Sequence, residues 1–145
     1  AARLAPLYDF FQARFDQIDA EYACLPQAVL HGDYSWRNLK RRGDEWAVID
    51  FERLVVDIPW RELGKLWLRE VKPTEERQAF LEGYRKILPL QEPSPLLDAC
   101  LSFQLAQGIY RYVLKVDDRE FRQMADGVIE DVKAWCKNQG LDMSN

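Results

Sequence analysis

Histidine is nearly absent from this sequence, because His31 is the only one among 145 residues. Cysteine is also scarce, and Cys24, Cys100 and Cys136 are odd in number and far apart. A zinc centre draws most of its ligands from these two residue types, and a disulfide framework needs paired cysteines. The composition therefore argues against a metal hydrolase of the His-Asp type, and the apolar neighbours of the three cysteines predict buried free thiols.

Long apolar runs and charge of a single sign are missing as well. No uninterrupted apolar run approaches the ~18 residues that a membrane span requires, and no cleavable signal pattern is present. The 20 basic and 24 acidic residues give a formal net charge of -4, which offers no broad attraction for nucleic acid and mildly favours a cationic partner. With free thiols, these features predict a cytoplasmic protein that binds neither nucleic acid nor membranes.

Apolar residues, by contrast, are plentiful. The chain is 48% hydrophobic and 12% aromatic, which is enough to enclose a core, and we expect one domain over residues 1–145. Hydrophobic spacing predicts an α+β fold, mainly α, with one small β-hairpin. The predicted elements are a helix over residues 3–23, a strand over 28–31, hairpin strands NLKRR and EWAVIDF around Gly43-Asp44, a helix after Asp57, a helix capped by Thr74, a helix opened by Ser94-Pro95, and a helix that starts at an Asp117–Glu120 capping box and ends near Gly140.

Three oxygen-bearing side chains follow His31 at short intervals, namely Asp33, Asn38 and Asp50. Mg²⁺ prefers oxygen ligands and usually takes one or two from the protein, the rest coming from water and phosphates. A two-residue hairpin turn places Asn38 opposite Ile49, whereas a three-residue loop places it opposite Asp50. A metal ion shared by Asn38 and Asp50 therefore requires the longer loop or an equivalent bulge. Asp33 lies on the loop after a buried strand, where a carboxylate can accept the proton of a substrate hydroxyl.

The composite pattern resembles the signature of the aminoglycoside phosphotransferase and choline kinase family. The matching segments are His31-Gly32-Asp33, Asn38 and Ile49-Asp50-Phe51-Glu52, which agree in order, spacing and flanking hydrophobicity within residues 28–67. The resemblance implies the helical C-terminal lobe of a protein-kinase-like fold, with ATP as phosphoryl donor and a hydroxyl group of a small molecule as acceptor.

The resemblance also implies a role for each residue of the pattern. Asp33 corresponds to the catalytic base, and Asn38 and Asp50 correspond to the Mg²⁺ ligands that hold the nucleotide. A lone histidine beside glycine is more often a strand-end residue than a catalyst, so we expect His31 to orient the catalytic loop. Aminoglycoside, choline, homoserine-like and sugar hydroxyls all remain open as acceptors.

Some positions depart from that family. The family frequently has Gly-Asp-Pro and then Asp-Leu, where this sequence has Val56-Asp57-Ile58-Pro59 and Glu62-Leu63. This departure leaves the roles of Asp57 and Glu62 open. It also gives a weak likeness to the spore-coat branch. Protein kinases have arginine where Gly32 stands, usually lysine where Ser35 stands, and Asp-Phe-Gly in place of Asp50-Phe51-Glu52. A small-molecule kinase is therefore favoured over a protein kinase.

Glycine-rich loops are absent, since the seven glycines are isolated and no Val-Ala-Ile-Lys strand precedes His31. We expect the N-terminal nucleotide lobe to lie outside these residues, and the chain alone to turn over little ATP. The alternative is a non-catalytic kinase-like scaffold, which retention of Asp33, Asn38 and Asp50 disfavours.

Other polar and aromatic groups have ordinary explanations. The basic residues of the hairpin fit a solvated edge and are left out of the site. The aromatic residues fit a core better than a cage for a quaternary ammonium group, and the polar stripe on the Ser94 helix is either water-facing or the wall of an acceptor cleft. The basic residues are Arg37, Lys40, Arg41 and Arg42. The aromatic residues are Trp36, Trp60, Trp67, Tyr110 and Tyr112. The polar stripe consists of Gln104, Gln107 and Arg111.

Overall fold

The computed structural model describes residues 4–71 and 74–141. Within these ranges the chain forms six α-helices, four short strands and two 3-10 turns, so the fold is α+β and mainly α. The elements are α1 (Ala5–Gln12), α2 (Phe15–Cys24), β1 (Ala28–Leu30), a 3-10 turn (Trp36–Asn38), β2 (Leu39–Arg42), β3 (Glu45–Val48), a second 3-10 turn (Phe51–Arg53), β4 (Val55–Asp57), α3 (Trp60–Arg69), α4 (Thr74–Arg85), α5 (Pro95–Val113) and α6 (Arg119–Asn138). None of the helices in the described part of the chain is long and apolar enough to cross a membrane.

The chain divides into two compact units. The helical unit contains the residues up to Cys24 and those from Pro93 onward, and thus α1, α2, α5 and α6. The mixed unit, Leu25–Glu92, contains all four strands together with α3 and α4.

The helical unit is built around the pair α5 and α6. The buried residues of α6 recur every three or four positions and form one apolar stripe, whereas those of α5 include consecutive positions and lie on more than one side of the helix. The buried residues are Leu97, Ala99, Cys100, Leu101, Phe103, Ala106, Ile109 and Val113 on α5, and Ala125, Ile129, Val132 and Cys136 on α6. Ser94 caps α5, and its hydroxyl accepts the Leu97 N–H at 3.3 Å. As predicted, α6 ends near Gly140, whose φ of 90° suits the residue that follows a helix.

The single helix predicted over residues 3–23 is wrong, because the chain breaks into α1 and α2 at residues 13 and 14. The guanidinium of Arg14 lies 3.7 Å from the centre of the Phe10 ring and donates to the Phe10 carbonyl at 3.0 Å, which satisfies a carbonyl at the end of α1. Phe10 is buried and Phe15 is 60% exposed, the reverse of the face that a continuous helix predicts.

Two smaller expectations are also corrected. The cap of α6 is Asp118, whose carboxylate accepts the Phe121 N–H at 3.0 Å, and not Asp117. Cys24 is exposed, whereas Cys100 and Cys136 are buried, and all three are free thiols.

The mixed unit contains two antiparallel strand pairs. The predicted hairpin is confirmed: β2 and β3 pair with Arg42 opposite Glu45, across a two-residue turn in which Gly43 has a φ of 60°. β3 is shorter than expected, since it ends at Val48. β1 pairs with β4, a strand that the sequence pattern did not predict.

The helix α3 anchors this unit through its apolar face. Leu63 and Leu66 on α3 form a buried cluster with Val71. Side chains packed against it are Tyr34, Trp60, Trp67, Phe80, Leu81 and Leu90, so Trp60 and Trp67 pack against the core as expected. Trp36 and Tyr112, for which a core position was also expected, are exposed. α3 is thereby held close to the loop that joins β1 to β2.

Candidate active site

The loop between β1 and β2 turns at Gly32, which has a φ of 78°. A Cβ at this position would lie 2.1 Å from the backbone carbonyl oxygen of Arg53, well inside contact distance. Both the left-handed backbone and this close approach require glycine. The loop carrying Asp33 is thus packed directly against the segment that follows Asp50.

Glu62 on α3 fixes the backbone of this loop. One carboxylate oxygen accepts the His31 N–H at 3.0 Å, and the other accepts the Gly32 N–H at 2.7 Å and the Tyr34 N–H at 3.4 Å. Hydrogen bonds to a charged acceptor are stronger than neutral ones, so one side chain holds three backbone N–H groups of the loop in place. Burial, followed by the charge of Glu62, raises the pKa of the Tyr34 phenol above its ordinary value.

His31 joins the Asp33 loop to the Asp50 segment. Its Nε2 lies 2.8 Å from the Ile49 carbonyl oxygen, and its Nδ1 lies 3.3 Å from the Asp33 backbone nitrogen. Both contacts are satisfied when the neutral ring carries its proton on Nε2, which donates to Ile49, while Nδ1 accepts from Asp33. The buried ring also lies 4.9 Å from the ring of Phe51, centre to centre.

Asn38 lies at the end of the first 3-10 turn and is buried. Its Nδ2 donates to the Asp33 carbonyl oxygen at 2.9 Å, and its own backbone carbonyl accepts the Ile49 N–H at 2.9 Å. The Nδ2 contact directs Oδ1 away from the loop backbone. Among the described residues the only buried side-chain polar atom without a partner is Ser35 Oγ.

Asp50 leaves the hairpin in an unusual conformation. It is the only described non-glycine residue with a positive φ, 68°, and it lies just after the end of β3. The two-residue turn places Asn38 opposite Ile49, so the three-residue loop considered for metal sharing is wrong. A bulge was the predicted alternative to the longer loop, and the left-handed Asp50 lies at that place in the chain. Non-glycine residues with a left-handed backbone often mark functional sites. Its side chain is exposed and makes no ion pair with another described residue.

Arg37, which the sequence interpretation left out of the site, is exposed and contacts Asp33. Its guanidinium pairs with Asp33 Oδ2, four residues earlier in the chain. The Asp33 side chain is 15% exposed, so it remains accessible from solvent. Lys40, Arg41 and Arg42 are exposed on the hairpin, which agrees with a solvated edge.

Sequence reasoning missed the two charged residues of α3 that reach the loop. Glu62 had an open role, and the available signal was its position where the family often has Asp-Leu. Lys65 drew no notice, although it follows Glu62 by three positions and therefore lies on the same helix face. Its Nζ donates to the Gly32 carbonyl oxygen at 2.7 Å.

The polar groups fit a magnesium ion bound chiefly by phosphate. No cluster of three or more His, Cys, Asp or Glu side chains in the described ranges could hold a metal by itself. The exposed carboxylate of Asp50 and Oδ1 of Asn38 are oxygen donors, and Mg²⁺ commonly takes only one or two protein ligands. That these two side chains share one ion stays a prediction.

Comparison with known families agrees with this geometry. The model of the phosphotransferase enzyme family matches residues 1–96, which is 96 of the 145 residues and includes the whole loop and α3. No curated protein and no solved structure matches significantly, and the likeness to the spore-coat branch stays a prediction. Because the family model covers well over half of its length, the chain belongs to the phosphotransferase enzyme family.

Proposed function

We propose that the chain carries the catalytic loop of an ATP-dependent phosphotransferase that acts on a hydroxyl group of a small molecule. The observation that carries this proposal is the double anchoring of Ile49, whose N–H is bound by the Asn38 carbonyl and whose carbonyl is bound by His31. The Asp33 loop and the Asp50 segment are thereby tied through a single residue, Ile49. Phosphoryl transfer depends mainly on such positioning.

Asp33 is the catalytic base in this proposal. Its carboxylate lies at the surface of the loop, where it can accept the proton of an incoming hydroxyl. The backbone on both sides is held, since His31 accepts the Asp33 N–H and Asn38 donates to its carbonyl. Arg37 orients one carboxylate oxygen and leaves the other for the acceptor.

Asn38 and Asp50 would hold Mg²⁺ together with the phosphates of ATP. The bound metal would neutralise charge that develops on the phosphates during transfer. The residues themselves supply fixed oxygen donors: Asn38 is buried and held through Nδ2, and Asp50 projects from a constrained left-handed position. His31 supports both through Ile49.

The proposal is tested by paired substitutions in the complete protein, because the sequence contains no glycine-rich phosphate loop. Asp33→Asn should lower acceptor phosphorylation by roughly 10²–10⁴-fold and leave Mg-ATP affinity nearly intact, since a general base acts on the acceptor proton. Asp50→Ala should lower both, because it removes a metal ligand. Initial rates with choline, aminoglycosides, homoserine and sugars as acceptors, and calorimetric titration with Mg-ATP, measure the two effects.

Asp44→Asn is the matched control, because Asp44 is fully exposed on the hairpin turn. It should change neither rate nor affinity. If the wild-type protein phosphorylates none of these acceptors and does not bind Mg-ATP, a non-catalytic scaffold replaces the enzyme. If the protein is active but Asp33→Asn and Asp50→Ala change neither quantity, the roles assigned to Asp33 and Asp50 are wrong.

A further inference from the structure

We propose that Lys65 is a positioning residue for phosphoryl transfer, whose ammonium group fixes the Gly32 carbonyl and thereby sets the orientation of Asp33; this rests on the function proposed above. No residue of the sequence signature performs this task. The proposal concerns a side chain from α3, reaching the loop across 33 positions in sequence.

The first support is that two residues of α3 bind opposite kinds of backbone group in the loop. Glu62 accepts the N–H groups of the loop, and Lys65, three positions later on the same helix, donates to its carbonyl group at Gly32. The peptide that joins Gly32 to Asp33 can rotate only if the Gly32 carbonyl moves. Within this peptide, His31 binds the Asp33 N–H at 3.3 Å and Lys65 binds the Gly32 carbonyl oxygen at 2.7 Å. Lys65 completes the restraint immediately before the base.

The second support is the crowding at Gly32. Its backbone lies so close to the Arg53 carbonyl that even a methyl group would clash at 2.1 Å. The Gly32 backbone is thus packed against the Arg53 carbonyl, and Lys65 binds the Gly32 carbonyl oxygen at 2.7 Å.

The third support is electrostatic. Burial lowers the pKa of the Lys65 ammonium, and the charge of Asp33 opposes that effect more than any other neighbouring charge. Arg53 and Arg61 act in the same direction as burial, while Glu62 acts with Asp33. No carboxylate of the described residues lies within ion-pair distance of Lys65, so its attraction to Asp33 acts through space.

The fourth support is an orphaned hydroxyl in the loop. Ser35 is buried, and its Oγ has no hydrogen-bond partner among the described residues. The Ser35 side chain therefore makes no hydrogen bond that would restrain the loop. The restraints of the loop come from α3, from His31 and from Asn38.

Kinetics of the complete protein supply one test. Lys65→Met, which keeps the length and removes the charge, should lower kcat about 10²-fold and change the KM for ATP less than about threefold, because misplacing a catalytic group affects the chemical step. Lys65→Arg should recover part of kcat, and n-butylammonium should raise the kcat of Lys65→Ala. Lys86→Met is the matched control, since Lys86 is exposed beyond the end of α4.

An NMR titration of the lysine ammonium groups supplies a test without activity. Asp33→Asn should lower the pKa of Lys65, because the charge of Asp33 favours the protonated ammonium. This arm decides the proposal if Lys65→Met fails to fold.

The two proposals fail in different ways. The positioning role is overturned if Lys65→Met has the wild-type kcat, or if Asp33→Asn leaves the pKa of Lys65 unchanged. The phosphotransferase proposal stands in both cases. Absence of phosphorylation by the wild-type protein overturns the function, and the titration then still decides whether Lys65 faces Asp33.

Discussion

At the scale of single residues, the site depends on backbone groups more than on side-chain pairs. Gly32 has a positive φ, and its neighbours are bound by Glu62, Lys65 and His31 through N–H and carbonyl groups. These contacts fix the backbone from which the Asp33 side chain projects. A single methyl group at Gly32 should therefore disturb the loop.

Gly32→Ala should destabilise the mixed unit by about 2–5 kcal/mol, which combines the cost of a left-handed alanine with that of overpacking. Gly43→Ala is the control, because Gly43 also has a positive φ but a Cβ there meets nothing within 4 Å. It should cost only about 1–2 kcal/mol. Urea unfolding of both variants measures the difference, and equal costs would show that the approach of Arg53 is not tight.

Asp50 is the residue whose conformation the sequence did not reveal. Asn and Asp tolerate the left-handed region better than other non-glycine residues, so its identity permits φ of 68° without requiring it. The choice depends on the ends of the segment, where Ile49 is bound to His31 and Arg53 packs on Gly32.

At the scale of elements, boundaries follow local capping groups. Asp117 and Asp118 are adjacent, and either could begin α6 by its residue type. The backbone of Asp118 is extended, which lets its carboxylate reach the Phe121 N–H, so the helix starts one residue later than predicted. At the other end, the N–H groups of Gly140 and Leu141 bind the carbonyls of Lys137 and Cys136, which closes the helix.

This assignment predicts unequal effects of neighbouring substitutions. Asp118→Ala should lower the stability of the helical unit by about 0.5–2 kcal/mol, because the Phe121 N–H loses its acceptor. Asp117→Ala removes the same charge and should cost much less. Thermal unfolding of the two variants measures both losses of stability. A larger loss of stability for Asp117→Ala would show that Asp117, the residue that the sequence pattern favoured, is the cap.

The first helix shows the limit of periodicity. Leu4, Leu7, Phe11 and Ile18 fit one helical stripe, yet the break at residues 13 and 14 leaves α1 and α2 with separate faces. Periodicity measures which positions are apolar, and a cap from Arg14 to the Phe10 carbonyl carries no periodic signal. Tertiary packing of Phe10 and Phe11 against Trp135 and Phe103 decides the outcome.

At the scale of the whole molecule, burial separates groups that look alike in the sequence. Cys24 and Cys136 both have apolar neighbours in sequence, but Cys24 is exposed at the end of α2 and Cys136 is fully buried on α6. Burial raises the pKa of the Cys136 thiol to about 11, and the nearby Arg14 opposes this in part. The two thiols should therefore differ in reactivity.

In the native chain, iodoacetamide should label Cys24 quickly and Cys136 only upon unfolding, because the thiolate is the reactive form. The folded state favours the neutral Cys136 thiol, so this contribution to stability is complete below the ordinary pKa of 9.0 and is lost as pH rises through about 11. Peptide mapping after labelling, with and without urea, identifies the modified residues. Rapid native labelling of Cys136 would contradict the burial of α6.

The sequence by itself determined the chemical groups of the site and their order, because Asp33, Asn38 and Asp50 lie within a short segment and their spacing is a local property. It also determined the hairpin, since Gly43 and the flanking strands act over a few residues. The tertiary structure alone decided that Glu62 and Lys65 bind the loop, that β1 pairs with β4, and that Asp50 turns left-handed. The contacts of Glu62 and Lys65 and the pairing of β1 with β4 join segments about 30 positions apart, so no pattern within either segment determines them.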